Sequence, residues 1–223
     1  MLKEASASNQ NVTKLVPSQD AITKPMKVLV VDNGTHYKKR LTNLLKGFDV
    51  TRISHTEINP KTHAVGFDLI LLSGAYGKES IKTSADTHYR DEQALIRSAK
   101  VPVIGLCYAA QLIAYMYGAK LSTVPEDGRR IKGLKRIWNV KKTPFDFFPY
   151  YGGWVWASQR WRITELPDAL ECWCASNEGV EVFKHKKKPI YGLQFHPERR
   201  AENNHGSQIL GKILEIEFGK KHL

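Results

Sequence analysis

Three residues of this 223-residue chain carry the side chains that hydrolysis by a thiol requires. Cys107 supplies a nucleophile, and His196 and Glu198, separated only by Pro197, supply a base and a carboxylate. In such a site the imidazole takes up and later returns a proton, while the carboxylate orients and charge-stabilises the imidazole. The residue types therefore predict Cys107 as the nucleophile, His196 as the base and Glu198 as the orienting group.

The sequence around Cys107 predicts a turn from a strand into a helix. Residues 101–106 form a short apolar run rich in β-branched side chains, and residues 107–116 place apolar side chains at helical spacing. Small residues at Gly105 and Ala109 leave room for the tight backbone of a nucleophile elbow. The unpaired N–H groups and the positive dipole end of a helix N-terminus favour an anion, so this position favours the thiolate of Cys107.

The His-Pro-Glu triplet follows a second predicted strand, at residues 190–195. If the chain stays extended there, His196 and Glu198 project to the same side, because side chains alternate along a strand. Taken alone, Cys107 could be a small buried hydrophobe and His196 a structural histidine. The combination favours a site, since an elbow and a His-Pro-Glu triplet would otherwise both have arisen by chance.

The elements that must position these residues alternate between strand and helix. We expect strands at 27–32, 49–53, 67–73 and 101–106, and helices at 35–46, 90–99 and 107–116. This order predicts an α/β fold in three layers, with a mostly parallel central sheet, helices on both faces, and ligands at the carboxyl ends of the strands. Strand-like stretches at 134–140, 153–157, 169–175 and 180–183 predict a small antiparallel β extension, and residues 209–218 a closing amphipathic helix.

Composition predicts one domain with a tail. At 223 residues, 42% of them hydrophobic, the chain can bury one core, which we place in residues 26–223, and the polar residues 1–25 fit a flexible N-terminal extension. The three cysteines give no disulfide framework, and Cys172-Trp173-Cys174 lacks a second ligand pair for a metal such as zinc. No apolar stretch is long enough to indicate secretion or membrane insertion. We therefore expect no metal and a cytoplasmic location.

The two motifs together resemble those of the class I glutamine amidotransferases. Gly105, Cys107 and Gln111 match the family's Gly-x-Cys-x-Gly-x-Gln, and residues 194–198 read Gln-Phe-His-Pro-Glu, which is the family's base motif. The resemblance runs from about residue 26 to the C-terminus. Among subfamilies, residues 31–37, 155–158 and 163–167 look most like the amidotransferase domain or subunit of GMP synthase.

The resemblance implies a flavodoxin-like fold and a reaction. Such enzymes attack the side-chain amide of glutamine, form a γ-glutamyl thioester on the cysteine, and release glutamate and ammonia without a cofactor. A synthase normally uses the ammonia, and because this chain has no phosphate-binding loop, we expect a separate ATP-dependent synthase partner. The family's pattern places the oxyanion-hole N–H groups at Ala75 and Tyr108, and substrate contacts at these positions: Gly74, Gln111, Ser158 and Gln159.

Three departures from the family's pattern keep two alternatives open. Ala75 replaces the second glycine of the usual Ser-Gly-Gly-Pro loop, which would cost on the order of 1 kcal/mol if the position needs a positive φ. Ala109 replaces a glycine at the elbow, and residues 158–161 read Ser-Gln-Arg-Trp instead of Ser-His-Gly-Asp. The same triad could therefore act as a hydrolase or peptidase on another γ-glutamyl compound. The chain could also be a non-catalytic binding or regulatory module that kept the fold.

Charge raises the question of an anionic partner. Lysine and arginine total 34 against 22 acidic residues, with basic clusters at 129–132 and at 184–188, of which the second fits a solvated hairpin tip. A basic surface can steer an anionic ligand, an acidic protein or RNA, but the chain has no nucleic-acid-binding motif, so we do not expect nucleic acid as a partner. We expect the neighbouring aromatic residues to line the rim of the site or a subunit interface: Tyr150, Tyr151, Trp154, Trp156 and Trp161.

Overall fold

The computed structural model describes residues 24–76, 81–124, 129–148 and 152–219. Nearly all of the predicted N-terminal extension, together with Tyr150 and Tyr151, lies outside the described residues. The described strands are β1 (Lys27–Asp32), β2 (Asp49–Ser54), β3 (Leu69–Leu72), β4 (Val103–Leu106), β5 (Lys120–Thr123), β6 (Ile131–Asn139), β7 (Gly153–Gln159), β8 (Trp161–Glu165), β9 (Leu170–Ser176), β10 (Gly179–His185) and β11 (Ile190–Leu193). The helices are α1 (Lys38–Leu44), α2 (Pro60–His63), α3 (Ile81–His88), α4 (Arg90–Ser98), α5 (Tyr108–Met116) and α6 (Gly206–Phe218).

These strands form a mixed sheet whose parallel part carries the predicted site. Strands β2, β1, β3, β4 and β11 lie side by side in that order, and each pairs in parallel with its neighbour. Beyond β11 the order continues through β10, β9, β6 and β7 in antiparallel pairs, while β8 pairs with β10 and β5 with β8. The α/β class with a parallel core and an antiparallel extension is confirmed, although the extension is larger than expected.

Helices cover both faces of the parallel strands. Along β1, Leu29 and Val31 belong to one apolar cluster, whereas Val28 and Val30 belong to another. The first cluster contains buried residues of α3, α4 and α5, and the second contains those of α1 and α6. Because successive side chains of a strand point to opposite faces, each face of the sheet packs against its own helices. The three-layer arrangement is therefore confirmed.

The predicted elements recur with small shifts of their ends, and two further strands and two further α-helices appear in the described residues. Strands β5 and β8 are short and bury little more than Leu121 and Ile163, so their sequences lack a clear apolar alternation. Helices α2 and α3 also lack a clear sequence signal, since α2 spans one turn and α3 is largely polar. In the described parts of the chain, no helix is long and apolar enough to cross a membrane.

Candidate active site

The carboxyl ends of the parallel strands bring the predicted site residues together. Asn33 follows β1, Ser73 and Gly74 follow β3, and Cys107 follows β4. A Cβ atom built on Gly74 would lie 3.4 Å from the Cβ of Cys107 and 3.2 Å from Cε1 of His196. Because parallel strands end at one edge of the sheet, residues far apart in sequence meet there. The ends of β3 and β4 thus place Gly74 next to Cys107 and His196.

Cys107 occupies a strained turn between β4 and α5. Its φ is 50° and its ψ −102°, a backbone conformation that L residues rarely adopt. The Cys107 N–H donates to the Leu193 carbonyl at 2.7 Å, and the Cys107 carbonyl accepts from the Gln111 N–H at 3.1 Å. These bonds tie the turn to β11 on one side and to α5 on the other. The residue has the geometry of the predicted nucleophile elbow, and its side chain lies at the start of a helix.

His196 and Glu198 meet through a turn and not through an extended chain. Strand β11 ends at Leu193, and the Arg199 N–H donates to the His196 carbonyl at 3.1 Å. The expectation of an extended segment is therefore wrong, yet Nδ1 of His196 lies 2.8 Å from Oε1 of Glu198. Both residues are at most 5% exposed. The ring of Tyr37 contacts His196 edge-on, with centroids 4.8 Å apart.

The surroundings of His196 favour its charged form. Burial alone would lower the pKa of its imidazole, but the charges of Cys107 and Glu198, and hydrogen bonds to both, raise this pKa well above its ordinary value. With Nδ1 bonded to Glu198, the other ring nitrogen is left to bond the thiol. A thiolate paired with an imidazolium is the arrangement in which a cysteine attacks without first losing a proton.

Replacing Glu198 by glutamine should move the pH profile of the reaction. Glutamine keeps an oxygen near Nδ1 but removes the charge that raises the His196 pKa, so this pKa should fall. The imidazolium is lost as pH rises through its pKa, and the alkaline limb of kcat/KM should therefore shift to lower pH, with kcat reduced by roughly 10- to 1,000-fold. An alkaline limb that stays in place in Glu198→Gln would show that Glu198 does not set the charge of His196.

The proposed oxyanion loop follows β3 without the strain that the sequence allowed. Among the described residues other than glycine, Cys107 and Asn203 are those with a positive φ, so Ala75 adopts a conformation open to any L residue. The hydroxyl of Ser73 donates to the Gly74 carbonyl at 2.9 Å. Tyr108 is the first residue of α5, where backbone N–H groups lack partners within the helix. Ala75 and Tyr108 both line the cavity that opens onto Cys107.

A cavity of about 510 Å³ opens onto Cys107. Its described lining comprises these residues: His55, Ala75, Tyr76, Ser84, His88, Tyr89, Cys107, Tyr108, Gln111, Arg130, Ser158, Gln159, Arg160 and Trp161. Of the predicted substrate contacts, Gln111, Ser158 and Gln159 line it, whereas Gly74 packs between Cys107 and His196 and is not part of the lining. The Cys107 Sγ atom lies 3.8 Å from the Ser158 carbonyl, which places the departing segment directly beside the thiol.

Gln111 and Gln159 differ in how their amides are used. Nε2 of Gln111 donates to the Trp161 carbonyl at 2.9 Å, which ties α5 to β8. The amide of Gln159 is buried, and neither its oxygen nor its nitrogen has a hydrogen-bond partner among the described residues. An unpaired buried amide costs free energy unless a ligand or water satisfies it. The Gln111 amide is thus used within the fold, whereas the Gln159 amide is left without a partner among the described residues.

Sequence reasoning missed the outer wall of the cavity. In the sequence Arg130 belongs only to a basic cluster, but in the structure it lines the cavity and lies over the Tyr76 ring, 5.3 Å from the centroid. Tyr89 and His55 stack with centroids 4.7 Å apart, and nothing in their local pattern distinguishes them from core residues. Trp161 does line the cavity, so the prediction of an aromatic rim holds for that residue.

The basic run at residues 184–188 forms the predicted hairpin tip. It joins β10 to β11, and the side chains of Lys186, Lys187 and Lys188 are exposed. His185 is buried, and its Nδ1 atom accepts the N–H groups of Lys187 and Lys188 at 3.0 and 3.1 Å. The structure thus gives this run a role in closing a turn.

Comparisons with known proteins agree with this geometry. The family model described as glutamine amidotransferase class-I matches residues 29–215. A glutamine-hydrolyzing GMP synthase subunit of Methanococcus vannielii is 31% identical over 201 residues, which cover 85% of this chain and 96% of that protein. The corresponding subunit of Thermococcus kodakarensis is 30% identical over 200 residues, covering 85% of this chain and 97% of the relative.

Solved structures show the same fold. A Thermoplasma acidophilum protein described as a GMP synthase subunit superposes with a TM-score of 0.69 at 26% identity, over 87% of this chain and 94% of the other. A glutamine amidotransferase of Thermotoga maritima gives a TM-score of 0.59 at 18% identity, over 90% and 87% of the two chains. With the family model matching most of its length, this chain belongs to the class I glutamine amidotransferases.

Proposed function

We propose that this chain hydrolyses the side-chain amide of glutamine through a γ-glutamyl thioester on Cys107, and that a separate synthase subunit consumes the ammonia. One observation carries the proposal: a cavity opens onto a cysteine held in a strained elbow, and a buried His196, bonded to Glu198, lies close to that cysteine. Family membership supports the reaction, because class I members share this chemistry.

In the first half of the reaction the thiolate of Cys107 attacks the amide carbon. A carbon–sulfur bond forms as the carbon–oxygen double bond opens, and the negative charge that develops on the oxygen is stabilised by hydrogen bonds from the N–H groups of Ala75 and Tyr108. The imidazolium of His196 gives its proton to the amide nitrogen as the carbon–nitrogen bond breaks. Ammonia leaves, and the glutamyl group stays on sulfur as a thioester.

The second half restores the enzyme. The neutral imidazole of His196 takes a proton from water, and the resulting hydroxide attacks the thioester carbon. The carbon–sulfur bond breaks, glutamate is released, and the thiolate again faces an imidazolium. Glu198 holds His196 in one orientation through the 2.8 Å contact at Nδ1.

The proposed substrate contacts lie around the unpaired amide of Gln159. Both amide atoms are buried in the free chain, and we propose that they turn toward the amino and carboxylate groups of a bound glutamine. Gln111 and Ser158 line the same cavity. Gly74 leaves space beside the imidazole of His196, because a side chain at this position would press on it. We assign residues 26–223 to the amidotransferase domain.

Two separate observations support a synthase subunit as the partner and the cytoplasm as the location. Relatives that align along nearly their whole length are named as glutamine-hydrolyzing subunits of GMP synthase, which supports GMP synthesis by a separate synthase subunit as the use of the ammonia. All three cysteines are free thiols, which supports a reducing, cytoplasmic location.

Ammonia release from purified protein tests the proposal. We expect release from L-glutamine and much slower release from L-asparagine, whose shorter side chain cannot bring its amide carbon to Cys107 while its backbone groups reach Gln159. A set of γ-glutamyl amides, with and without the ATP-dependent subunit of a GMP synthase, completes the assay. Rapid cleavage of a γ-glutamyl amide with negligible glutamine turnover would favour the γ-glutamyl hydrolase alternative, and no turnover of either would favour a non-catalytic module.

A further inference from the structure

Asn33 joins three elements beneath the oxyanion loop. Its backbone N–H donates to Oγ of Ser73 at 2.9 Å, and its Nδ2 donates to the Ser73 carbonyl at 3.0 Å. The same Nδ2 also donates to Oε1 of Glu92 on α4, at 3.1 Å. All three residues are at most 3% exposed. Asn33, at the end of β1 and bonded to Glu92 of α4, thus holds Ser73, the residue at which the loop leaves β3.

Ser73 passes this constraint to the peptide that supplies the proposed oxyanion donor. Its hydroxyl donates to the Gly74 carbonyl at 2.9 Å, and that carbonyl shares a peptide unit with the Ala75 N–H. In a trans peptide the carbonyl and the N–H point in opposite directions. The Gly74 carbonyl points at the Ser73 hydroxyl, which Asn33 at the end of β1 holds. Since β3 lies between β1 and β4, the opposite N–H is then directed toward the β4 side, where Cys107 lies.

Glu92 is an unusual residue to find in this place. It is fully buried, its Oε2 atom has no hydrogen-bond partner among the described residues, and burial raises the pKa of its carboxyl to about 8 despite the bond from Asn33. Tyr108 interacts electrostatically with Glu92, and the ring centroids of Tyr108 and Tyr89 lie 4.9 Å apart. A buried carboxyl costs stability, which selection tolerates most readily near a functional site.

We propose that Asn33 and Glu92 are positioning residues of the oxyanion hole. Through Ser73 they hold the peptide between Gly74 and Ala75 so that its N–H faces the carbonyl oxygen of the substrate. The inference rests on the proposed function and deepens it, because it assigns the residues that keep one oxyanion donor in place. Such a donor acts on the charged intermediate more than on bound glutamine, so losing its orientation should lower kcat and leave KM nearly unchanged.

Steady-state glutamine hydrolysis by three variants tests the inference. We expect Asn33→Ala, Ser73→Ala and Glu92→Leu each to lower kcat by roughly 10- to 100-fold with KM changed by less than about threefold. Glu92→Gln retains an oxygen that can accept from Asn33 and should recover most of the activity lost in Glu92→Leu. Gln93→Leu is the matched control: Gln93 is also buried on α4, but it bonds the Ala85 carbonyl and not the loop.

Alkylation of Cys107 by iodoacetamide separates positioning from damage to the fold. This reaction displaces iodide from a methylene carbon and forms no oxyanion, so its rate at Cys107, followed by peptide mass spectrometry, should match wild type in all variants. The inference is overturned if kcat is unchanged, or if kcat and the alkylation rate fall together. Wild-type protein that releases no ammonia from glutamine would overturn the proposed function as well, whereas active wild type with fully active variants overturns only the positioning role.

Discussion

Cys107→Ala should lower ammonia release from glutamine by at least about 10⁴-fold, because it removes the atom that forms the thioester. The cavity, the proposed oxyanion donors and the buried His196 and Glu198 pair all remain, so glutamine should still bind. The measurement is steady-state ammonia release, with binding of glutamine by calorimetry as the second readout. Cys107→Ala should therefore separate turnover from binding.

Two further variants serve as controls for this prediction. Cys172→Ala should leave kcat within about twofold, since burial raises the pKa of that thiol to about 11 and it lies on β9, outside the lining of the cavity. The double variant Cys107→Ala with His196→Ala should be no slower than Cys107→Ala alone, because residues that act as one unit do not contribute additively. A Cys107→Ala protein with more than a tenth of wild-type activity would refute the assignment of the nucleophile.

Gly105→Ala should destabilise the protein by about 2–3 kcal/mol and impair hydrolysis as well. An added Cβ would lie 2.6 Å from Cδ1 of Ile113 and within 2.9 Å of the Ala109 carbonyl group, so α5 would have to move away from β4. The elbow at Cys107 joins these two elements, and a shift between them displaces the thiol. Denaturant unfolding measures the first effect, and kcat/KM measures the second.

Gly66→Ala is the control for this substitution. Gly66 has a φ of 84°, but nothing lies within 4 Å of its added Cβ, so it tests backbone strain without a steric clash. We expect a loss of about 1 kcal/mol and unchanged hydrolysis. If Gly105→Ala is no more destabilising than Gly66→Ala, the packing of α5 against β4 is looser than the contacts at Gly105 indicate.

The parallel half of the fold and the position of Cys107 could be predicted because the signals are local. A buried parallel strand is a run of apolar residues, and the turn into α5 is marked by the small Gly105 and by helical spacing after Cys107. The antiparallel part is harder to delimit. Strands such as β5 and β8 bury few side chains, and their stability comes from pairing partners that are distant in sequence.

The sequence predicts the contact between His196 and Glu198, but the reason for the prediction is wrong. Alternation along a strand predicts that both side chains share a face, but β11 ends at Leu193 and a turn makes the contact instead. Whether a chain remains extended past a strand depends on its neighbours. Here the His196 N–H donates to the Trp156 carbonyl on β7, a tertiary contact that the local sequence does not encode.

The network at Asn33 could not be predicted from sequence. In the sequence, Asn33 is only part of a subfamily motif, and Glu92 is one residue of an expected helix. Their contact depends on how α4 packs against the end of β1, over a separation of 59 residues. A buried polar network is recognised when burial and partners are known together, and neither is visible in a single sequence.

Acid quenching during turnover, followed by mass spectrometry of the peptide that contains Cys107, tests the central claim most directly. Wild-type protein mixed with glutamine should carry a γ-glutamyl group on Cys107, bound through a thioester that hydroxylamine removes. Cys172 and Cys174 should remain unmodified, because burial raises the pKa of both thiols. Continued release of ammonia with no adduct at Cys107, or with the adduct on another cysteine, would contradict hydrolysis through this residue.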